Sequence, residues 1–391
     1  MNIANIQAYL QEHDIDGWLM IDFHGYNFVA VEMLKPSGMV TRKTAYFIPA
    51  EGEPTALLHA IEKAKYKHLP GKHIIFSAYK LYEESLEQML EGCNTIAMEY
   101  APMGRLPYIG LIDAGTIELI KSFGKEIVSS ADLVANFQAR LSPEQIATHR
   151  IAAHNIIQIK EKAFAFISES LKADKKITEY DVVQYIRKLF YEYDMESEDG
   201  PNCSVDSNAG DPHYEPTKEQ STIIAKGQII LIDLWAKLKH PDGVFADITW
   251  MGYAGKRDEI PQKYLDIFAT LSQARDTAVD YLRTHIDSQP VFGSQVDDAV
   301  RKVIEKAGYG KYFTHRTGHS ITSQIHGTGP NIDNLETEDS RKLQPGHLFS
   351  IEPGIYMDDC GFRTEIDVYI GHEGVEVHTL PYQTELLALL D

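Results

Sequence analysis

Two apolar runs that each hold one aspartate constrain this chain more than any other feature of its sequence. They are Ile229-Ile-Leu-Ile-Asp-Leu-Trp235 and Val244-Phe-Ala-Asp-Ile-Thr-Trp250. Their length and their β-branched and aromatic content predict strands. A carboxylate inside such a run faces a steep desolvation cost unless something pairs with it. For either aspartate alone, an edge position pointing to solvent or capping a turn would suffice. Two in neighbouring strands suggest carboxylates that face each other, which requires a cation or a shared proton.

Three further residues extend the pattern. His319 lies in Gly318-His-Ser320, between His315 and His326, and neutral imidazole is the commonest nitrogen ligand of transition metals. Glu352 ends the apolar stretch Phe349-Ser-Ile-Glu352, and Pro353-Gly354 predicts a turn that would fix its direction. Glu365 sits in Gly361-Phe-Arg-Thr-Glu-Ile-Asp-Val368, within a predicted strand from Phe362 to Ile370, where it could also be a solvent-facing neighbour of Arg363. Four carboxylates and one imidazole form a hard, oxygen-rich set with too much negative charge for one small divalent ion. Such a set suits two ions about 3.5–4 Å apart. Its oxygen preference favours Mn²⁺, with Co²⁺ and Zn²⁺ chemically competent.

The rest of the chain reads as two domains, since 391 residues exceed what one core usually holds. Residues 1–140 alternate strands and helices. Ile3 to His13 has helical spacing, Trp18–Ile21 reads as a buried strand, and Thr44–Ile48 and Thr55–Leu58 flank the turn Glu51-Gly-Glu-Pro54. A strand at His73–Phe76, an amphipathic helix through Tyr82, Leu86 and Met89, and a strand at Thr95–Met98 complete an α/β pattern with a mixed sheet. Ser142-Pro-Glu-Gln145 is a capping box that opens a helix running to about Leu171. Residues 141–391 then read as α+β, with helices at about Pro261–Arg283 and Gln295–Lys306 between strands.

Composition excludes several classes. A net charge of −20, with no long basic block, argues against nucleic-acid binding. The three cysteines, Cys93, Cys203 and Cys360, form neither a disulfide framework nor a thiolate metal site. The first residues lack the basic flank of a secretory signal, and no apolar run approaches the ~20 residues that span a bilayer. A cytoplasmic protein without membrane partners is the expectation.

The order Asp, Asp, His, Glu, Glu, in the contexts Gly-His-Ser, Ile-Glu-Pro-Gly-Ile-Tyr and Arg-x-Glu, resembles the pita-bread metallopeptidases, and among them the Xaa-Pro aminopeptidases and prolidases. The resemblance implies an α+β pita-bread catalytic domain preceded by a smaller α/β domain of creatinase type. It implies that Asp233, Asp247, His319, Glu352 and Glu365 hold two divalent ions, with Asp247 and Glu365 bridging. It implies hydrolysis of an amino-terminal Xaa-Pro bond by a hydroxide between the ions, with Glu352 moving the proton. His213 and His326 would contact substrate and the tetrahedral intermediate, and His315 and Arg363 would line the cleft. Short peptides with proline second are the implied substrates, and a homodimer is the implied assembly.

Several positions differ from the family pattern. The two aspartates are 14 positions apart, and the stretch between them includes Lys239-His-Pro-Asp-Gly243, which reads as a lengthened hairpin turn. Trp250 stands where the family has Arg. His326 is followed by Gly327 rather than Glu, and no Arg follows soon after to grip a dipeptide's carboxylate. The alternatives are a prolidase restricted to dipeptides, a metal-free hydrolase on the same fold, and a peptide-binding module without catalysis. Retention of all five ligand positions argues against the last two.

Overall fold

A computed structural model describes every residue from Met1 to Asp391. The chain divides into two compact units, Met1–Gln138 and Ala139–Asp391.

The first unit runs α1 (Ile3–Glu12), β1 (Gly17–Asp22), α2 (Phe28–Leu34), β2 (Thr44–Pro49), β3 (Thr55–His59), β4 (Lys72–Phe76), α3 (Tyr79–Met89), β5 (Thr95–Met98), α4 (Ala114–Ser122), β6 (Glu126–Ser129) and α5 (Ala131–Phe137). Its strands form one mixed sheet ordered β4-β3-β2-β1-β5-β6, with β2 antiparallel to both neighbours and the other pairs parallel. Every residue of β1 is buried because helices cover both faces. Trp18 and Met20 pack with Ile6 and Leu10 of α1, while Leu19 and Ile21 pack with Tyr82 and Leu86 of α3.

The second unit opens with α6 (Pro143–Lys172) and α7 (Glu179–Glu192). The expected capping box is present: Gln145 N–H donates to Ser142 Oγ at 3.2 Å and Ser142 N–H to Gln145 Oε1 at 2.9 Å. Then come β7 (Met195–Glu196), β8 (Asn202–Val205), β9 (Ile229–Leu238), β10 (Ala246–Tyr253), α8 (Gln262–His285), α9 (Gly293–Lys306), β11 (Leu348–Ile351), β12 (Gly354–Tyr356), β13 (Gly361–Arg363), β14 (Ile366–Gly371), β15 (Gly374–Val377) and β16 (Leu387–Ala388). Helices α6 and α7 cover one face of β8, β9 and β10 with Ile156, Ala163, Ile167 and Ile186. Helices α8 and α9 bury Leu271, Ala278, Val296 and Val300 against Phe349, Phe362 and Val368. Each large apolar side chain so buried contributes about 1.5–3 kcal/mol. No helix is long and apolar enough to cross a membrane.

The β9–β10 hairpin fixes the two aspartates. The strands are antiparallel in a register that sets Thr249 opposite Asp233 and Asp247 opposite Trp235. The aspartates are therefore diagonal neighbours on one face, rather than a directly facing pair. Alternation sends Ile248 and Trp250 to the other face, into the core beneath α6, where Lys160 Nζ lies 3.6 Å from the centre of the Trp250 ring. The Trp that stands where the family has Arg thus points away from the aspartates.

The expected strand from Phe362 to Ile370 is broken. β13 pairs with β12, and β14 pairs with β11, so the chain changes partner between them at Thr364–Glu365. The expected turn at Pro353-Gly354 is likewise a change of partner, from β11 to β12. Proline cannot donate to a ladder, which favours the crossing there. Glu352 and Glu365 occupy these two crossings, and their N–H groups donate to Thr317 O (2.7 Å) and Thr249 O (3.3 Å) instead of to a paired strand.

The outer edge of β10 is filled in a similar way. His149 Nδ1 donates to Phe245 O at 2.8 Å, Asp247 N–H donates to Asp367 Oδ2 at 3.0 Å, and Glu365 N–H takes Thr249 O. Gln383 answers both backbone groups of Met251, at 2.8 and 2.6 Å. Only Gly252 and Tyr253 meet a strand there, β16. Burial pushes His149 down to about 3, with His378 adding to the effect, so its ring is neutral.

Candidate metal centre

The structure brings all nine residues singled out above to one cavity of about 570 Å³ in the second unit. Asp247, His319 and Glu365 are buried at its closed end, and His213 is exposed at its open end. One ligand atom from each of Asp247, His319 and Glu365 lies within 4.8 Å of the others. His319 Nε2 is 3.6 Å from Asp247 Oδ2 and 3.5 Å from Glu352 Oε1. Its Nδ1 faces Ser320 O at 3.3 Å, which places the proton on Nδ1 and the lone pair of Nε2 toward the carboxylates.

Local backbone packing sets the His319 position. Gly318 forms a bridge with Ile332, and a Cβ on Gly318 would lie 1.9 Å from Ser350 O. Only glycine allows that approach, and it carries His319 N–H to 3.0 Å from Ser350 Oγ. Gly318→Ala should therefore destabilise the metal-free protein by about 1–3 kcal/mol, measured by denaturant unfolding. An unchanged midpoint would mean that this contact relaxes without cost.

Arg363 organises the acidic side. Its guanidinium pairs with Asp233 Oδ2, its Nε donates to Thr249 Oγ1 at 2.8 Å, and Thr249 Oγ1 donates to Glu365 Oε2 at 2.7 Å. Arg363 Nη1 also reaches Tyr356 OH at 3.3 Å. The Tyr356 hydroxyl lies 2.8 Å from His315 Nε2, whose Nδ1 meets Arg316 O at 2.6 Å. Burial, partly offset by Arg363, pushes Tyr356 up to about 12, so it donates to His315.

The electrostatics fit a cation. Burial, then the charges of Asp233 and Glu352, raises Asp247 well above the ordinary carboxylate range. Burial and Asp247 do the same for Glu365, and burial raises Asp233 against the opposing pull of Arg363. Burial would also raise Glu352, but His319, His315, Arg363 and Arg316 together hold it below its ordinary value. Burial pushes both of those histidines down, toward the neutral form that ligates metals. Asp233 Oδ1 and Asp247 Oδ1 are buried and have no hydrogen-bond partner. Buried acceptors of this kind are costly unless a donor or a cation meets them. The donor set of four carboxylate groups and one imidazole therefore fits divalent cations.

The remaining expected residues lie toward the open part. The His326 ring meets the His319 ring edge-to-face with centroids 4.6 Å apart. Burial, then His319 and Arg316, lowers it to about 4, so it is a neutral donor at pH 7. His213 N–H donates to Asp211 Oδ1 at 3.0 Å, within the segment that also supplies Pro212, Tyr214 and Glu215 to the wall.

Sequence reasoning missed Arg316, Glu336, Asp199 and Tyr214, all of which line the cavity. Arg316 was findable, since it stands three residues before His319 and next to His315. Its Nη1 lies 3.9 Å from Glu336 Oε2.

The family model described as metallopeptidase family M24 matches residues 152–372. YkvY of Bacillus subtilis (strain 168) is 26% identical over 361 residues, covering 89% of each chain. The solved structure of dipeptidase PepE from Mycobacterium ulcerans superposes with a TM-score of 0.76 at 21% identity, covering 99% of this chain and 96% of that one. X-prolyl aminopeptidase from Caenorhabditis elegans, described as a cytosolic enzyme with a di-nuclear active site, gives 0.71 at 16% identity, covering 100% of this chain and 63% of its own. Prolidases and Xaa-Pro dipeptidases are among the other structural neighbours. The shared fold is the pita-bread architecture with a preceding amino-terminal domain.

Proposed function

Because the chain belongs to metallopeptidase family M24, we propose that it hydrolyses the bond between a first residue and a following proline in short peptides. Asp233, Asp247, His319, Glu352 and Glu365 would hold two divalent cations, with Asp247 and Glu365 shared between them. The observation that carries this reading is the pair of buried, unpartnered aspartate oxygens at the closed end of a peptide-sized cavity. The oxygen-rich set favours Mn²⁺.

Divalent cations would supply Lewis acidity there, polarising a carbonyl and acidifying water. The chain's own groups do the rest. Glu352 is held below its ordinary range by His319, His315, Arg363 and Arg316 and kept in place by Ser350 Oγ at 3.1 Å, so one of its oxygens can accept the proton of the attacking water. The same carboxyl then delivers that proton to the departing proline nitrogen. His326, neutral at pH 7, donates an N–H to the developing oxyanion. His213 borders the part of the cavity open to a peptide.

A second reading restricts the substrate to dipeptides. Arg316 favours it, because a guanidinium in the cavity wall can take a carboxylate that a longer peptide does not place there. The names of the PepE and Bacillus anthracis neighbours support it as well.

The test is to strip the protein with chelator and restore Mn²⁺, Co²⁺ or Zn²⁺ separately. Xaa-Pro dipeptides and Xaa-Pro-Yaa tripeptides are then assayed side by side. Metal-dependent release of the first residue from both supports the main reading, and cleavage of dipeptides alone moves it to the second. No metal-dependent cleavage of either peptide sinks both.

A further inference from the structure

The segment between β8 and β9, residues 206–228, is long and irregular apart from one short helical turn at Asp206–Gly210. It nevertheless supplies Pro212, His213, Tyr214 and Glu215 to the cavity wall. Loops of this length inside a compact domain need something to hold them, and they are commonly functional. Backbone contacts hold its far part: Thr178 bridges Ile223, Glu179 N–H donates to Thr222 O at 3.1 Å, Ile224 N–H to Ile177 O at 2.9 Å and Gly227 N–H to Ala254 O at 2.9 Å.

A single side chain ties its earlier part to the rest. Glu179, the first residue of α7, is fully buried. Its carboxylate accepts from Val205 N–H (2.8 Å), from Asn208 Nδ2 (3.0 and 3.2 Å), from the Tyr214 hydroxyl (2.6 Å) and from Thr222 N–H (2.8 Å). These donors come from just before the loop, its first turn, its middle and its later part. A buried carboxylate costs too much unless it is matched in this way, and a matched one fixes the groups that match it. Asn208 Nδ2 also reaches Thr222 Oγ1 at 2.9 Å, and Asn202 Nδ2 donates to Tyr214 O at 2.8 Å. Of the four donors, only Tyr214 forms part of the cavity wall, one residue from His213.

We propose that Glu179 is the positioning residue of the substrate wall: it gathers both ends and the middle of residues 205–222 onto one carboxylate and so sets where Tyr214 and His213 meet the peptide. It touches neither substrate nor the metal-ligand candidates and acts only through this loop. The inference rests on the reading of the cavity as a peptide site.

The experiment compares wild type with Glu179→Gln and Tyr214→Phe. Glu179→Gln places an amide among donors and breaks several bonds at once. Tyr214→Phe removes one hydroxyl and serves where the first variant folds poorly. KM for an Xaa-Pro peptide should rise about tenfold in Glu179→Gln, with kcat changed less than about threefold and metal content unchanged. Tyr214→Phe should give part of that rise, and the double variant should not exceed Glu179→Gln alone.

Hydrogen exchange supplies a readout independent of turnover: amides 205–222 should lose protection while β9 and β10 keep theirs. Unchanged protection overturns the clamp. Lost protection with unchanged KM overturns its role in placing substrate, as does a fall in kcat and metal content at constant KM. Should the wild type cleave no Xaa-Pro peptide, the proposed function falls, and the exchange measurement still decides whether Glu179 holds the loop.

Discussion

Glu352→Gln should lower kcat by about 10²–10⁴, the usual contribution of a placed proton carrier, while peptide binding stays within a few-fold of wild type. The glutamine keeps the shape and can still accept from Ser350 Oγ, so the backbone crossing that presents residue 352 should be undisturbed. What it loses is the ability to take a proton and pass it on, together with one negative charge facing His319 at 3.5 Å. Measuring kcat, KM and bound metal on one preparation separates these losses. Turnover within about tenfold of wild type at full metal content would remove Glu352 from proton transfer.

The second large effect concerns the residues proposed to be shared between cations. Asp247→Asn and Glu365→Gln should each lower metal content and turnover together. Their effect on the metal-free protein should have the opposite sign to the usual damage from a buried mutation. Both carboxyls are raised in the folded state, so the folded protein holds their protons to higher pH than the unfolded chain does. Stability of the metal-free wild type must therefore fall as pH climbs through the window that starts near about 4, the unfolded carboxyl value. Neutral amides at these positions remove that loss. At pH 7 the metal-free variants should melt at or above the metal-free wild type, with a flatter pH dependence. Added Mn²⁺ at about 100-fold over its dissociation constant should stabilise the wild type by about 2.7 kcal/mol and the variants by much less. Full metal occupancy in both variants would count against shared ligation.

The parts of the site that could be read from the sequence are those where a residue type is locally out of place. Asp233 and Asp247 stood out because each interrupts an apolar run, and the helix at Pro143 was announced by Ser142 and Gln145. What could not be read depends on pairing between distant segments. Nothing local in Phe362–Ile370 marks a break, since every residue there is compatible with one strand. The break exists because β12 and β11 compete for the two halves. The pairing of Arg363 with Asp233 spans 130 positions, and that of Glu179 with Tyr214 spans 35. Arg316 escapes a sequence reading for another reason: the family pattern puts a carboxylate-gripping arginine after His326, whereas the structure sets a guanidinium before His319.

The outer edge of β10 has one more consequence, for how the protein behaves among copies of itself. An open edge offers a repeating row of donors and acceptors, and such a row is what a foreign strand needs in order to add on. Here His149, Glu365 and Asp367, and Gln383 answer the row piecemeal, from three separate places in the chain. These bonds interrupt the row between Phe245 and Met251, so a foreign strand would not find it free. Asp367, which holds the Asp247 backbone, also denies that position to a foreign strand.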